Sequence, residues 1–280
     1  MEFIEIIKAI VLGIVEGITE WLPISSTGHM ILFDEFMRLD VSEQFKEMFF
    51  VVIQLGAICA VPVLFFNKLN PFSRKKTSEE KKNTWSLWLK VIVGALPAAV
   101  IGLLLDDFFD KHFYNYIVVS IALVVYGVAF IVIEKMRKGK SFRTERVEDL
   151  TYKDALIIGS FQVLSLIPGT SRSGSTIIGG MLNGISRTAS AEFSFFMAIP
   201  IMLGASLLKI LKFIVGGFTA TGTEIALLLI GIAVSFVVSL VSIKFLMDFV
   251  KRHDFKPFGI YRIALGILVI GYFVVKSIVA

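Results

Sequence analysis

The chain has 280 residues, of which 56% are hydrophobic and only 18% charged, with 26 phenylalanines and a mean hydropathy of +0.81. That balance excludes an ordinary soluble domain and predicts an integral membrane protein. A net charge of +5 and a pI near 9.2 do not indicate nucleic acid, because the basic residues fall in short runs between apolar segments, where the positive-inside rule puts them.

The N-terminal MEFIEIIKAIVLGIVEG carries acids ahead of its apolar run and lacks a small-residue cleavage site, so it is expected to be retained rather than removed as a signal peptide. Crossing a bilayer takes about 20 apolar residues as a helix. Residues 4–21 and 26–36 are shorter pieces, broken at Pro23 and followed by the polar ISSTGH. Full spans are expected at 48–66, 85–105 and 113–133. The first holds the single cysteine, Cys59, which excludes an intrachain disulfide and reads as a small core residue rather than a thiolate nucleophile. A basic linker, 134–150, leads to a second short pair, 155–167 and 173–185, broken at Pro168 within PGTSRSGST. Spans at 191–214, 225–249 and 257–275 complete the chain.

Residues 67–84 carry six Lys/Arg against two Glu and residues 134–153 carry seven Lys/Arg, so both segments belong in the cytoplasm with the weaker Lys251, Arg252, Lys256 cluster. The acidic LDDFFDK and the GGFTATGTE stretch lie opposite. LPISSTG before FFVVIQLGA matches IPGTSRSG before FFMAIPIMLGA, about 146 to 148 residues on. Each half, 1–133 and 151–280, holds one short pair followed by three spans, and an odd number of spans inverts the second half. The expected fold is therefore an all-α integral membrane domain over 1–280, with six transmembrane helices and two re-entrant helix-loop-helix pairs in an inverted-topology repeat. Irregular backbone at membrane depth is tolerated where it lines a cavity, so the two loops should meet near the midplane.

The chemistry concentrates there. Glu16 and Glu20 lie four apart on one helix face, where they either pair with a buried base such as Arg172 or hold a hard divalent cation, Mg²⁺ or Ca²⁺. Ser25 or Ser26 is expected to cap the second half-helix, whose free N–H groups and Thr27 make an anion site. If that helix begins at Ser26, His29 faces the same way, giving the hydroxyl and imidazole of an activated nucleophile and its base. The second loop offers Ser171, Ser173 and Thr176 hydroxyls, backbone freed at Gly169, and Arg172 as a phosphate fork. Arg262 either joins that clamp or sits at the cytoplasmic interface. Carboxylate pair, hydroxyl, helix N-termini and arginine are the parts of phosphoryl transfer, and their place among membrane helices predicts a lipid phosphate or diphosphate as substrate.

At these motifs the chain resembles the bacterial undecaprenyl-diphosphatases, also called bacitracin-resistance proteins: Glu16 and Glu20 as ExxxE, LPISSTGH from Leu22 to His29, PGTSRSGST from Pro168 to Thr176, and the neighbourhood of Arg262. The resemblance spans the chain. It implies a membrane phosphatase that hydrolyses undecaprenyl diphosphate to the monophosphate carrier lipid for cell-wall synthesis. It further implies the bacterial plasma membrane, a site open to the outer face and dependence on a divalent cation. Glu16, Glu20, Ser26, His29, Ser171, Arg172, Ser173 and Thr176 match its site motifs. Ser26 deprotonated by His29 is the favoured nucleophile, with His29 itself or a water activated by Glu20 as alternatives. The rival reading is a transporter of the lipid phosphate, built on the same inverted repeat. Membrane lipids are the expected surroundings, and the oligomeric state is left open, a homodimer included.

Overall fold

The computed structural model describes residues 3–113 and 115–279, and among them every regular element is helical apart from one isolated bridge between Thr144 and Ile185. The chain opens with α1 (Phe3–Thr19), a six-residue turn, and α2 (Ser26–Phe36). The first span is α3 (Glu43–Val52) followed by α4 (Gln54–Leu64), and a short α5 (Phe66–Leu69) leads to α6 (Ser78–Phe113) and α7 (Tyr116–Arg137). The second half runs through α8 (Tyr152–Gln162), a 3₁₀ turn over Val163–Leu166, α9 (Arg172–Leu182), α10 (Arg187–Val215), α11 (Gly222–Arg252) and α12 (Lys256–Val279).

Six helices are long and apolar enough to cross a membrane: Glu43–Leu64, Ser78–Leu105, Tyr116–Arg137, Arg187–Val215, Gly222–Arg252 and Lys256–Ile278. The protein is a multi-pass membrane protein, with the six spans where hydropathy put them. The helices outrun their apolar stretches because polar turns continue them. α6 starts at Ser78 rather than near 85, behind a reciprocal cap in which Thr77 Oγ1 accepts from the Glu80 amide (3.2 Å) and Glu80 Oε2 accepts from the Thr77 amide (2.7 Å). The break in the first span at Ile53 was not foreseen. There the Gly56 amide donates to the Ile53 carbonyl three residues back (3.1 Å), and α11 approaches so closely that a Cβ on Gly56 would lie 2.0 Å from the Ile232 carbonyl oxygen. The acidic side chains expected opposite the basic loops at Asp106, Asp107 and Asp110 lie outside the described residues.

Each short pair packs against a long helix. α1 lies against α11, α8 lies against α6, α4 against α11, α10 against α6, and α7 against α12. The segment after α7 is docked: the Arg143 amide donates to the Gly184 carbonyl and the Ser186 amide to the Thr144 carbonyl, each at 2.8 Å. Buried Glu134 at the end of α7 pairs with Arg187 and accepts from the Phe255 amide (2.9 Å), joining α7, α10 and α12 on the basic side.

Candidate active site

The turn between α1 and α2 and the turn before α9 lie side by side. Each ends on a serine with left-handed backbone, Ser25 (φ 75°) and Ser171 (φ 70°), the only non-glycine residues with positive φ among those described. Such a conformation costs on the order of 1–3 kcal/mol and persists where surroundings impose it. Both are N-caps: Ser25 Oγ accepts from the Gly28 amide (3.3 Å) and Ser171 Oγ from the Gly174 amide (3.1 Å). The cap of α2 is thus Ser25, and Ser26 is the first helical residue. A neighbouring element fixes the second turn, for Gly169 has φ +89° and a Cβ there would meet the Val119 carbonyl oxygen at 2.6 Å.

Ser26 and Arg172 occupy equivalent first-turn positions and meet on one carboxylate. Ser26 Oγ donates to Glu20 Oε2 (3.0 Å), while Glu20 Oε1 accepts from Arg172 Nη2 (3.0 Å) and Nε (3.2 Å). Glu20 is 7% exposed, so this is a buried ion pair between the loops. The Arg172 guanidinium also donates from Nη1 to the Ser194 carbonyl (2.8 Å) and Oγ (3.4 Å), and it lies 5.9 Å from the Trp21 ring centroid. Ser173 Oγ contacts Ser171 Oγ (3.3 Å) and donates to the Glu20 carbonyl (3.2 Å). Thr176 is fully buried and its hydroxyl is shared between helix carbonyls and Ser194 Oγ (2.7 Å), so it braces the clamp rather than facing an open space. Thr27 is half-buried in the first turn of α2.

The structure does not bring Ser26 and His29 together. Buried His29 places Nδ1 2.7 Å from the Ser25 carbonyl and Nε2 2.7 Å from the Tyr261 hydroxyl. The helix begins at Ser26, as the expected pairing required, but the Ser26 hydroxyl turns back to Glu20 and the imidazole is held between the Ser25 carbonyl and Tyr261 of α12. Arg262 fits neither expectation. It is fully buried, with Nη1 donating to the Pro23 carbonyl (3.2 Å) and Nη2 to those of Gly169 (2.8 Å) and Thr170 (3.0 Å). Its two terminal nitrogens bond carbonyls of both turns and clip them together, while Nε is buried without a partner.

Glu16 lies one turn below Glu20, whose amide donates to the Glu16 carbonyl at 3.0 Å. It is 1% exposed and both its carboxylate oxygens are buried with no hydrogen-bond partner. A buried carboxylate left unpaired is costly. Two orphaned hard oxygens beside a second carboxylate fit a divalent cation that keeps waters and substrate oxygens in its remaining positions. Among the described residues no group of three or more His, Cys, Asp and Glu side chains gathers to form an all-protein metal cage.

A family model for the bacitracin resistance protein BacA matches residues 9–268. The chain belongs to the BacA family. Curated relatives named undecaprenyl-diphosphatase include one from Enterococcus faecalis, 61% identical over 272 residues and covering 97% of this chain and 99% of the relative. Another, from Desulfitobacterium hafniense, is 57% identical over 280 residues and covers all of both chains. A third, from Streptococcus mutans, is 57% identical and covers 99% of each.

Two members of this BacA site escaped the sequence reading. Ser194 lies between Phe193 and Phe195 in SAEFSFF of α10, where a serine carries no signal of its own. Tyr261 directly precedes Arg262 and reads there as an interfacial aromatic.

Proposed function

We propose that the chain hydrolyses undecaprenyl diphosphate to undecaprenyl phosphate and inorganic phosphate, recycling the carrier lipid of cell-wall synthesis and thereby giving bacitracin resistance. Full-length relatives bearing the name undecaprenyl-diphosphatase support the substrate. The observation that carries the chemistry is the single carboxylate of Glu20 holding the Ser26 hydroxyl on one oxygen and the Arg172 guanidinium on the other. The terminal phosphate binds at the first-turn amides of α2 and α9, with Ser171 and Ser173 beside them and the remaining Nη2 hydrogen of Arg172 on a phosphate oxygen. Ser26 Oγ attacks the terminal phosphorus and its proton passes to Glu20 Oε2. The bridging P–O bond breaks, and undecaprenyl phosphate leaves with the proton that Glu20 had taken. Glu20, ionised again, takes a proton from water as the water attacks the Ser26 phosphoester, and passes it to Ser26 Oγ as inorganic phosphate departs. Developing charge on the phosphoryl oxygens is met by Arg172 and the helix N-termini, fixed in advance by Ser194 and Thr176. Glu16 and Glu20 would hold Mg²⁺ or Ca²⁺, which when bound neutralises part of the diphosphate charge.

The finer architecture belongs to the same proposal: two re-entrant pairs in an inverted repeat, halves 1–133 and 151–280, a linker over 134–150, all in one membrane domain. Three matches support it. The caps share backbone and bonding, the first short helix of each half packs on the second span of the other half, and the last spans α7 and α12 pack on each other. A cavity of about 560 Å³, lined by Met30, Asp34, Glu43, Phe50, Lys209 and Phe273, adjoins α2 at the ends of the spans opposite the Lys/Arg-rich loops. This supports a site reached from the outer face of the bacterial plasma membrane.

Purified protein in detergent, given undecaprenyl diphosphate with and without chelator, tests the reading. Phosphate release that ceases with chelator is the expected result, and binding without release would return the chain to the transporter class.

A further inference from the structure

The two turns do the same thing at one more pair of positions, and the difference there points to α12. In the second turn the Ser175 hydroxyl donates to the carbonyl of the cap, Ser171 (2.9 Å). In the first turn the matching bond comes from His29 Nδ1 to the carbonyl of the cap, Ser25 (2.7 Å). A serine is enough to satisfy a cap carbonyl. What the imidazole adds is a second nitrogen, and that nitrogen is on Tyr261.

A carbonyl oxygen only accepts, so the short contact to Ser25 requires the proton on Nδ1. In the neutral ring Nε2 then carries a bare lone pair, and the Tyr261 hydroxyl, 2.7 Å away, donates to it. The two rings lie nearly parallel, with centroids 5.6 Å apart and 5° between planes, so the phenol also holds the imidazole plane. If Nε2 takes up a proton, the same hydroxyl turns and accepts. A phenol can follow the imidazole through both states, which a purely donating or purely accepting neighbour could not. Tyr261 is itself held in place, because the next residue, Arg262, is tied to carbonyls of both turns.

We propose that Tyr261 is a positioning residue for the phosphatase reaction: through its hydroxyl on His29 Nε2 it fixes the tautomer and orientation of His29 beside the first-turn amides that receive the phosphate. The proposal rests on the reading above in that the phosphate is received at the first turn of α2, which His29 braces through the Ser25 carbonyl. The hydroxyl carries the larger share and the ring the rest, and the effect belongs to turnover rather than to substrate binding.

The test uses the full chain in detergent with undecaprenyl diphosphate as substrate. Tyr261→Phe keeps the ring and should keep the thermal midpoint, while kcat falls about tenfold and KM stays unchanged, as for loss of a group that holds the turn carrying the reacting residues in place. Tyr261→Ala should fall further, with phenylalanine a partial rescue. In protein labelled with ¹⁵N-histidine, with His29 assigned by the signals lost in His29→Asn, the wild-type ring should be the Nδ1–H tautomer. Tyr261→Phe should mix the two tautomers. A wild-type kcat in Tyr261→Phe beside a disabled His29→Ala overturns the role of Tyr261 alone, as does a change confined to KM or an unmixed tautomer. Full activity in His29→Ala overturns instead the assignment of His29 to the site.

Discussion

Ser25 and Ser171 share an unusual backbone, φ 75° and ψ 100° in one and φ 70° and ψ 120° in the other, and each hydroxyl accepts from the amide three residues ahead. The left-handed step turns each chain abruptly from loop into helix, so that Ser26 and Arg172 leave the two caps from matching positions and reach the same Glu20 carboxylate. Strain at the caps and convergence at the site are one arrangement.

That arrangement predicts an order of stabilities. Replacing either cap by alanine removes the side-chain bond, about 1 kcal/mol, and leaves the positive φ in place. Glycine removes the same bond but adopts the backbone without strain. At both positions the glycine variant should therefore unfold at higher temperature than the alanine variant, as measured by thermal unfolding in detergent. Alanine equal to or above glycine would mean that the caps are not strained.

Arg172→Lys should lose at least about a hundredfold in kcat with the fold intact, since an ammonium cannot reproduce a planar fork. The geometry explains why: the arginine holds Glu20 through Nε and Nη2 while Nη1 reaches the Ser194 carbonyl. Ser194→Ala removes one bond to Arg172 and one to Thr176 and should cost about tenfold. Steady-state phosphate release checks both, and near-normal turnover of the lysine variant would end the clamp assignment.

The parts of this protein legible in sequence are those set by local pattern. Hydropathy located the six spans, and the Pro-Ser-Thr-Gly interruptions located both turns, because apolar length and breakers act over neighbouring residues. Glu20 and Arg172 were legible as chemistry because charge is rare in such a chain. Their partners were not. Whether Ser25 or Ser26 caps α2 depends on a φ that sequence does not fix, and the groups that take Ser26 and His29, Glu20 and Tyr261, lie outside α2 altogether. Arg262 and Tyr261 act across about 90 to 240 positions of chain, on turns that only the packing of α12 against α7 brings within reach.

Glu16 should trade stability for function. Its carboxylate oxygens are buried and without partners, so Glu16→Met should leave the protein in chelator at least as stable as the parent, because an uncompensated buried group is replaced by an apolar one of similar size. The same variant should be inactive. Glu16→Gln and Glu20→Gln should raise the Mg²⁺ or Ca²⁺ concentration needed for half-maximal rate. Thermal midpoints in chelator and metal titrations of the rate measure the two effects, and unchanged metal dependence in both glutamine variants would make the pair structural.

The last prediction concerns the group that receives the proton of Ser26. With its hydroxyl on Glu20 Oε2 and both nitrogens of His29 engaged elsewhere, the proposed catalytic unit is Ser26 with Glu20. Ser26→Ala should be nearly inactive at saturating substrate, since the lost bond is formed in the transition state. Residues that act as one unit are strongly non-additive. Ser26→Ala combined with Glu20→Gln should therefore cost little more than the worse single change, because a base without its nucleophile does nothing. Ser26→Ala combined with His29→Ala should come closer to the product of the two single losses, because His29 acts through the turn and Tyr261 rather than on the Ser26 hydroxyl. Two double-mutant cycles on kcat, run under one set of conditions, separate the cases. Strong coupling of Ser26 to His29 with independence from Glu20 would move the base back to the imidazole, and robust turnover by Ser26→Ala would give the attack to water.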